Sequence, residues 1–393
     1  MKRFAKIVFG VIKKIRKKRT KSINWYTKIL SKVYSSCFKL LKFVLFCLLL
    51  ALCCNCTFFI FEMLTSRLSL GSDVKLGQQV YLTAPKNIPA ERTMDIIMGS
   101  DDGYIRHCAA AMASILLNCD ASSRFRFHIL DGGISSDKKE KLLKLRNIRN
   151  FEIKFYDMTK HDWSIFPDNR GHTTLATYYR LRIPEVLSKN IPKALYLDGD
   201  IIVEQDLKEL WDTDISNYVL GAVEDEEGIN SRDRLGLSNK YFNAGVLLLN
   251  LDKLRQINLS ERISAYLKKG EQYIVYQDQD ILNGLFNNQY KELPLKWNVN
   301  RDVYLPDDSK HTYSGHYSEI TKRNPAIIHF TGGSLLKPWI QEMLHPLSFE
   351  YWNYYKHTDF YSHDQRKNFF FQLIFMNIVL FEHLFHKILS WFQ

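Results

Sequence analysis

From Met94 onward, short apolar stretches alternate with segments whose apolar residues recur at helical spacing, a pattern that predicts strands and helices in turn. The strands read as DIIMGS from Asp95, FRFHIL from Phe125, FEIKFYDM from Phe151, KALYLDGDIIV from Lys193, YFNAGVLLLNL from Tyr241 and AIIHF from Ala326. Helices are expected near 105–118, 138–146, 175–187 and 254–268. This rhythm predicts one α/β domain over 93–345, without internal repeats. Ahead of the domain, residues 43–61 form an uncharged apolar run between Lys42 and Glu62. It is long enough to cross a bilayer and lacks a small-residue cleavage site, so a retained N-terminal transmembrane helix is expected over 43–62, with a polar stem over 63–92. Behind the domain, 346–393 ends in a stretch crowded with aromatic residues, where Gln372, Glu382, His383, His386, Lys387 and Ser390 share one side at helical spacing. An amphipathic C-terminal helix follows, expected in the membrane interface or, alternatively, docked on the protein.

Composition changes that picture little. The 393 residues are 46% hydrophobic and 24% charged, an ordinary globular balance that excludes disorder as the default. The net charge of +12 suggests a nucleic-acid partner until it is located. Residues 1–42 carry 14 Lys and Arg and no acid, which leaves the remaining chain near neutral, with 40 basic against 42 acidic residues. Charge set directly before an apolar run points away from nucleic acid and orients the amino terminus toward the cytosol. Cys47, Cys53, Cys54 and Cys56 fall inside the apolar run, and Cys108 and Cys119 are too far apart on one helix to pair, so neither a disulfide framework nor a zinc site is expected.

The candidate chemistry gathers where strands end. Asp198 and Asp200 interrupt an otherwise fully apolar strand, and burying two carboxylates is costly unless they are paired, protonated or bound to a cation. Alternate positions on a strand point to one side, so the pair can converge as hard oxygen ligands for Mg²⁺ or Mn²⁺. The competing reading is a tight turn, because Asp-Gly is also a hairpin signal. Ser100, Asp101 and Asp102 end the first strand, where α/β sheets grip nucleotides, although a helix cap would account for one aspartate. Arg180 suits a diphosphate or a surface ion pair. Gln277 to Asp280 open an apolar stretch, and His329, Gly332 and Lys337 follow the last strand, with His329 either a third metal ligand or a core histidine.

The ordered set DIIMGSDDGY, TYYRLRIP, YLDGDIIV, LWDTD, YFNAGVLLLNL, DQDILNGLF and HFTGG with KPW resembles family 8 glycosyltransferases, including those that build lipopolysaccharide, over roughly 93–345. The resemblance implies a GT-A type fold, a mixed sheet flanked by helices, and retaining transfer of a hexose from UDP-glucose or UDP-galactose to a glycan or glycolipid. It further implies Mn²⁺ or Mg²⁺ held by Asp198, Asp200 and His329, with Asp101 and Ser100 toward the uridine. Gly332 and Lys337 would hold the diphosphate, and Arg180 would stand beside the transferred sugar and help stabilise the leaving group. Asp225, Asn243, Asp278 and Gln279 would surround the transferred sugar, with Asp278 nearest the anomeric carbon. The spacing from His329 to Lys337 is two residues longer than the short form of the motif, so the loop must bulge for the lysine to reach a phosphate.

Two other functions compete. A retaining glycosidase also uses paired carboxylates but needs neither a cation nor a phosphate-binding lysine. A carbohydrate-binding protein could keep the fold and lose the chemistry. The expected location is membrane-anchored, on the cytoplasmic face of a bacterial inner membrane in contact with its lipid, or as a type II protein of the Golgi membrane.

Overall fold

The computed structural model describes residues 93–362 except 168–173, 226–227, 271–272, 301–302, 304–323, 333–336, 341–344 and 346. The basic segment 1–42, the stretch 43–62, the stem 63–92 and the tail 363–393 lie outside the described residues. Strands β1 (Thr93–Ser100), β2 (Arg124–Asp131), β3 (Glu152–Asp157) and β4 (Lys193–Leu197) pair in parallel. A short strand, β5 (Ile201–Val203), leaves this sheet, while β6 (Leu220–Glu224), β7 (Phe242–Asn250) and β8 (Tyr290–Glu292) extend it, giving the order β3-β2-β1-β4-β7-β6-β8. β7 runs antiparallel to both β4 and β6, which makes the sheet mixed. β9 (Ile327–His329) pairs antiparallel with β5 in a separate two-stranded sheet.

Around these lie α1 (Ile105–Asn118), α2 (Ser136–Leu143), α3 (Gly228–Leu235), α4 (Leu251–Gln256), α5 (Leu259–Gly270), α6 (Gln277–Phe286) and α7 (Ser348–Tyr355). The expected helix at 254–268 is broken at Asn258, whose φ of 49° ends one helix and starts the next. The one expected at 175–187 is a 3₁₀ helix over Leu175–Arg182, entered through Thr174, whose hydroxyl accepts from Ala176 N, and followed by a single α-helical turn at Pro184. The first helix falls at 105–118, as its apolar spacing predicts. Its alanines 109, 110, 111 and 113 are fully buried, so the helix backbone can sit close to the sheets on both sides.

The expected N-terminal transmembrane helix is not supported. Among the described residues no helix is long and apolar enough to cross a membrane. A span needs about 20 consecutive apolar residues, and the longest described helix has 14. The anchored location inferred from that helix, at a bacterial inner membrane or in the Golgi, loses its basis with it.

Residues 347–362, expected to begin a membrane-associated segment, pack on the domain. Tyr351 and Tyr355 are each 1% exposed in a cluster with Ala110, Ile202, Ile328 and Phe330. Beside them Glu204 accepts a hydrogen bond from the Tyr354 hydroxyl at 3.0 Å, while its other oxygen is buried without a partner. Burial and the neighbouring Glu350 push its carboxyl up to about 7. A carboxyl raised on folding stabilises the fold below its unfolded value, and that contribution is lost as pH rises through about 7. Glu204→Gln is therefore expected to be more stable than the parent at pH 8 by about 1–2 kcal/mol, a figure already discounted for partial exposure. The advantage should shrink toward pH 5 in thermal denaturation, and an advantage independent of pH would contradict the assignment.

Candidate active site

Pairing registers build the site. Leu197 opposite Val246 puts Asp198 just past the sheet, where its N–H donates to the Gly245 carbonyl at 2.8 Å. The chain turns at Gly199, but β4 and β5 lie in different sheets and form no hairpin, and Ile201 re-enters pairing opposite His329. Phe330 N then donates to Asp200 O at 2.9 Å. The turn does not separate the carboxylates from the histidine. Asp198, Asp200 and His329 each offer a ligand atom within 4.8 Å of the others. His329 Nε2 lies 3.7 Å from Asp198 Oδ2 and 3.4 Å from Asp200 Oδ1.

Glycine is required twice here. A Cβ on Gly245 would lie 2.1 Å from the His329 ring and 2.8 Å from Asp198 Oδ2, and one on Gly199 would lie 2.7 Å from Cys108 Sγ. The bare backbone at Gly245 leaves room for the three ligand atoms to converge.

Backbone chemistry fixes the histidine's tautomer. Gly245 N–H donates to Asn243 Oδ1 at 2.8 Å, which orients that amide, and Asn298 Nδ2 donates to the same oxygen at 2.9 Å. Asn298 Oδ1 therefore faces His329 Nδ1 at 2.8 Å and can only accept, so Nδ1 carries the proton. Nε2 presents its lone pair to the space shared with the two aspartates. This donor set, two hard carboxylates and an oriented neutral imidazole, fits a divalent cation of the Mn²⁺ or Mg²⁺ kind.

On one side of the carboxylates stands Lys337, 8% exposed, whose ammonium pairs with Asp200 and donates to the Phe330 carbonyl at 2.7 Å. Lys337 thus reaches the strand end despite the longer spacing, and Gly332 takes a φ of 90°. Burial acts to raise the Asp200 carboxyl, but the Lys337 ammonium beside it holds it well below the usual range. On the other side Arg180 donates to Asp198 Oδ1 at 2.7 Å and lies over the Tyr196 ring at 4.4 Å. Burial opposes its charge, yet Asp198 and Asp278 raise its pKa further, so it is a permanent cation.

Asp278, 4% exposed, accepts from the Thr177 hydroxyl. Arg180 Nε approaches its Oδ2 within 2.9 Å, but the N–H is aimed at the Thr177 carbonyl, which leaves Oδ2 without a hydrogen-bond donor. Burial pushes this carboxyl up to about 6, against the pull of Arg180 and Thr177 and with Asp198 adding to it. Gln279 spans Asp225 Oδ2 at 3.0 Å and Ala244 N at 2.9 Å, and Asn243 reaches the same Asp225 oxygen at 2.9 Å.

The expected residues are thus largely brought together, with differences at the first strand. Ser100 is fully buried and its hydroxyl donates to the Asp101 carbonyl at 2.9 Å. Asp101 Oδ1 accepts from Tyr104 N at 2.9 Å, the local helix-entry role, with its side chain still part-exposed. Asp102 is spent on Lys138 at 2.5 Å and on Ser135 N at 2.9 Å.

Sequence reasoning missed Asn298 and Thr177, each of which acts through a partner distant in sequence, and Tyr196, whose hydroxyl donates to Asp198 at 2.9 Å and whose ring lies under Arg180. By residue type alone Asp280 and Asp278 look alike, and only the family resemblance singled out Asp278. Asp280 is fully buried and accepts from Arg234, from Tyr241 at 2.6 Å, and from the Val275 and Tyr276 N–H groups at 2.7 and 2.8 Å. No lone pair remains for a ligand. Those bonds hold the turn that enters α6, where Gln277 takes a φ of 38° immediately before Asp278.

A glycosyl transferase family 8 model matches residues 95–342, a span that contains every one of these groups. The chain belongs to glycosyl transferase family 8. This family 8 glycosyltransferase is 32% identical over 275 residues to general stress protein A of Bacillus subtilis, covering 68% of this chain and 95% of that one. It is 28% identical over 262 residues to a lipopolysaccharide 1,2-glucosyltransferase of Escherichia coli, covering 65% and 76% respectively. The galactosyltransferase LgtC, solved with donor and acceptor sugar analogues, superposes with a TM-score of 0.60 at 29% identity, covering 70% of this glycosyltransferase and all of LgtC. The mixed α/β architecture is accordingly of the GT-A kind.

Proposed function

We propose that this glycosyltransferase moves glucose or galactose from a UDP-sugar to a glycan or glycolipid acceptor, with retention of configuration, using Mn²⁺ or Mg²⁺. The observation that carries the reading is the convergence of Asp198, Asp200 and the correctly protonated His329 between two buried cations, Lys337 and Arg180. A bound divalent cation would neutralise charge growing on the diphosphate leaving group. Lys337 supplies a second positive charge at short range, and its burial strengthens the interaction. Asp278 Oδ2, lacking a donor, is ready to accept from a sugar hydroxyl or to face the developing positive charge at the anomeric carbon. Gln279 and Asn243, tied to Asp225, give that wall a fixed polar surface. Relatives named for lipopolysaccharide glucosyl transfer and a structural neighbour named for galactosyl transfer support a hexose donor and a cell-envelope glycan as acceptor.

The reading is tested by UDP release from UDP-glucose and UDP-galactose separately, each with Mn²⁺ or with EDTA. Metal-dependent release from one of them is expected, whereas equal release in EDTA would remove the cation from the proposal. A second expectation concerns the amide relay. Asn298→Leu removes the acceptor that keeps the proton on Nδ1, so Mn²⁺ affinity measured by calorimetry should fall about 10–100-fold with the fold intact. Unchanged affinity would show that His329 needs no such orientation.

A further inference from the structure

Helix α7 begins beyond the span the family model matches, yet its buried face reaches the loop that carries Lys337. Trp352 donates its indole N–H to the Pro338 carbonyl at 3.0 Å. The Tyr351 hydroxyl bonds to His107 Nδ1 at 2.7 Å, and the His107 ring stacks on Trp339 with centroids 3.5 Å apart and planes 16° off parallel. Burial pushes His107 down to about 3, so a neutral ring fills the gap between the two aromatic side chains. Trp339 also packs against Tyr351 at 5.1 Å and meets Tyr104 edge-on at 5.7 Å, and Tyr104 in turn lies against Gly199 of the aspartate turn. Farther along, the Tyr354 hydroxyl accepts from Asn118 at 2.6 Å and donates to Glu204 at 3.0 Å, tying α7 to α1 and to the end of β5. The two residues after Lys337 are therefore held by α7 on one side and by α1 on the other.

We propose that Trp352 and Tyr351 are positioning residues for Lys337. Clasped by α7, the Pro338–Trp339 pair holds the lysine backbone so that its ammonium stands beside Asp200, where the donor diphosphate binds. The inference rests on the reading of Lys337 as a diphosphate-binding group. A lysine side chain is long and freely rotating, so fixing its root and burying its stem before the donor arrives leaves less order to be imposed on binding. Hydrogen bonds and ring stacking reach the loop from residues outside the set that would surround the sugar and the diphosphate. Their effect should appear mainly in donor affinity, and only through Lys337.

The test uses the full chain with Mn²⁺ and calorimetric titration of UDP against the parent, Trp352→Phe, Tyr351→Phe and Lys337→Ala, and against each aromatic variant combined with Lys337→Ala. Each aromatic variant alone should weaken UDP binding about three- to tenfold and raise the donor KM more than it lowers kcat. Neither should weaken it further once Lys337 is Ala. The same weakening in both backgrounds, or none in the parent background, would overturn the clasp while leaving the role of Lys337 intact. If Lys337→Ala alone leaves UDP affinity unchanged, the diphosphate reading fails, and this inference with it. Thermal denaturation of each variant separates loss of fold from loss of positioning.

Discussion

Asp198→Asn is expected to reduce Mn²⁺-dependent UDP release about a thousandfold, with little change in size or packing at the site. The substitution keeps one oxygen able to accept from the Tyr196 hydroxyl, now 2.9 Å from Oδ1, but removes the charge that Arg180 and a divalent cation both use. A neutral amide is a poor ligand for a hard cation, and its nitrogen would stand where Oδ2 now faces the cation site beside His329 Nε2. The change also takes a like charge away from Asp278, so the Asp278 carboxyl should drop below about 6 while transfer is lost. Release of UDP measured with Mn²⁺ and with EDTA distinguishes the cases. Normal metal-dependent turnover in Asp198→Asn would sink the ligand assignment.

The second large effect belongs to Asp278. If its anion faces the anomeric carbon, Asp278→Asn should lower kcat by about two to four orders of magnitude with a smaller change in UDP affinity. In the parent, burial holds the carboxyl at about 6, so activity should fall as pH drops through that value, because protonation removes the anion. The effect on stability runs the other way. A carboxyl raised from 3.8 to about 6 favours the fold most at low pH, by at most about 3 kcal/mol, and that contribution is lost as pH rises through 6. Ionised Asp278 is thus costly to the fold and useful to the reaction, which is how an active-site carboxylate differs from one that serves packing. The acid limb of the rate profile should vanish in Asp278→Asn. An unchanged limb would assign it to another group.

Asp280 makes the contrast from two residues away. It is equally buried, but every lone pair is taken by Arg234, Tyr241 and two backbone N–H groups, so nothing there awaits a ligand. In sequence the two aspartates of DQD look alike. Only the arrangement of donors around them tells a poised group from a structural one.

The strand and helix rhythm, the first helix and the residues flanking the sheet's ligand edge were legible in the sequence, because periodicity and buried acids are local signals. The carboxylates of the aspartate turn demanded a partner on solvation grounds alone. The sequence offered a turn at Gly199 only as a competing reading and could not show that β5 joins a second sheet, since that depends on β9, which pairs with it from more than 120 residues later in the chain. Nor could it show that Asn298 sets the His329 tautomer, that Asp278 Oδ2 has no hydrogen-bond donor, or that α7 grips the Lys337 loop. Each of these is a contact between residues far apart in the chain, made by packing rather than by spacing. What the sequence by itself determined was the family of chemistry, through residue types placed at strand ends, while the tertiary structure decided which of those residues are free to act, because that depends on how each lone pair and each charge is already occupied.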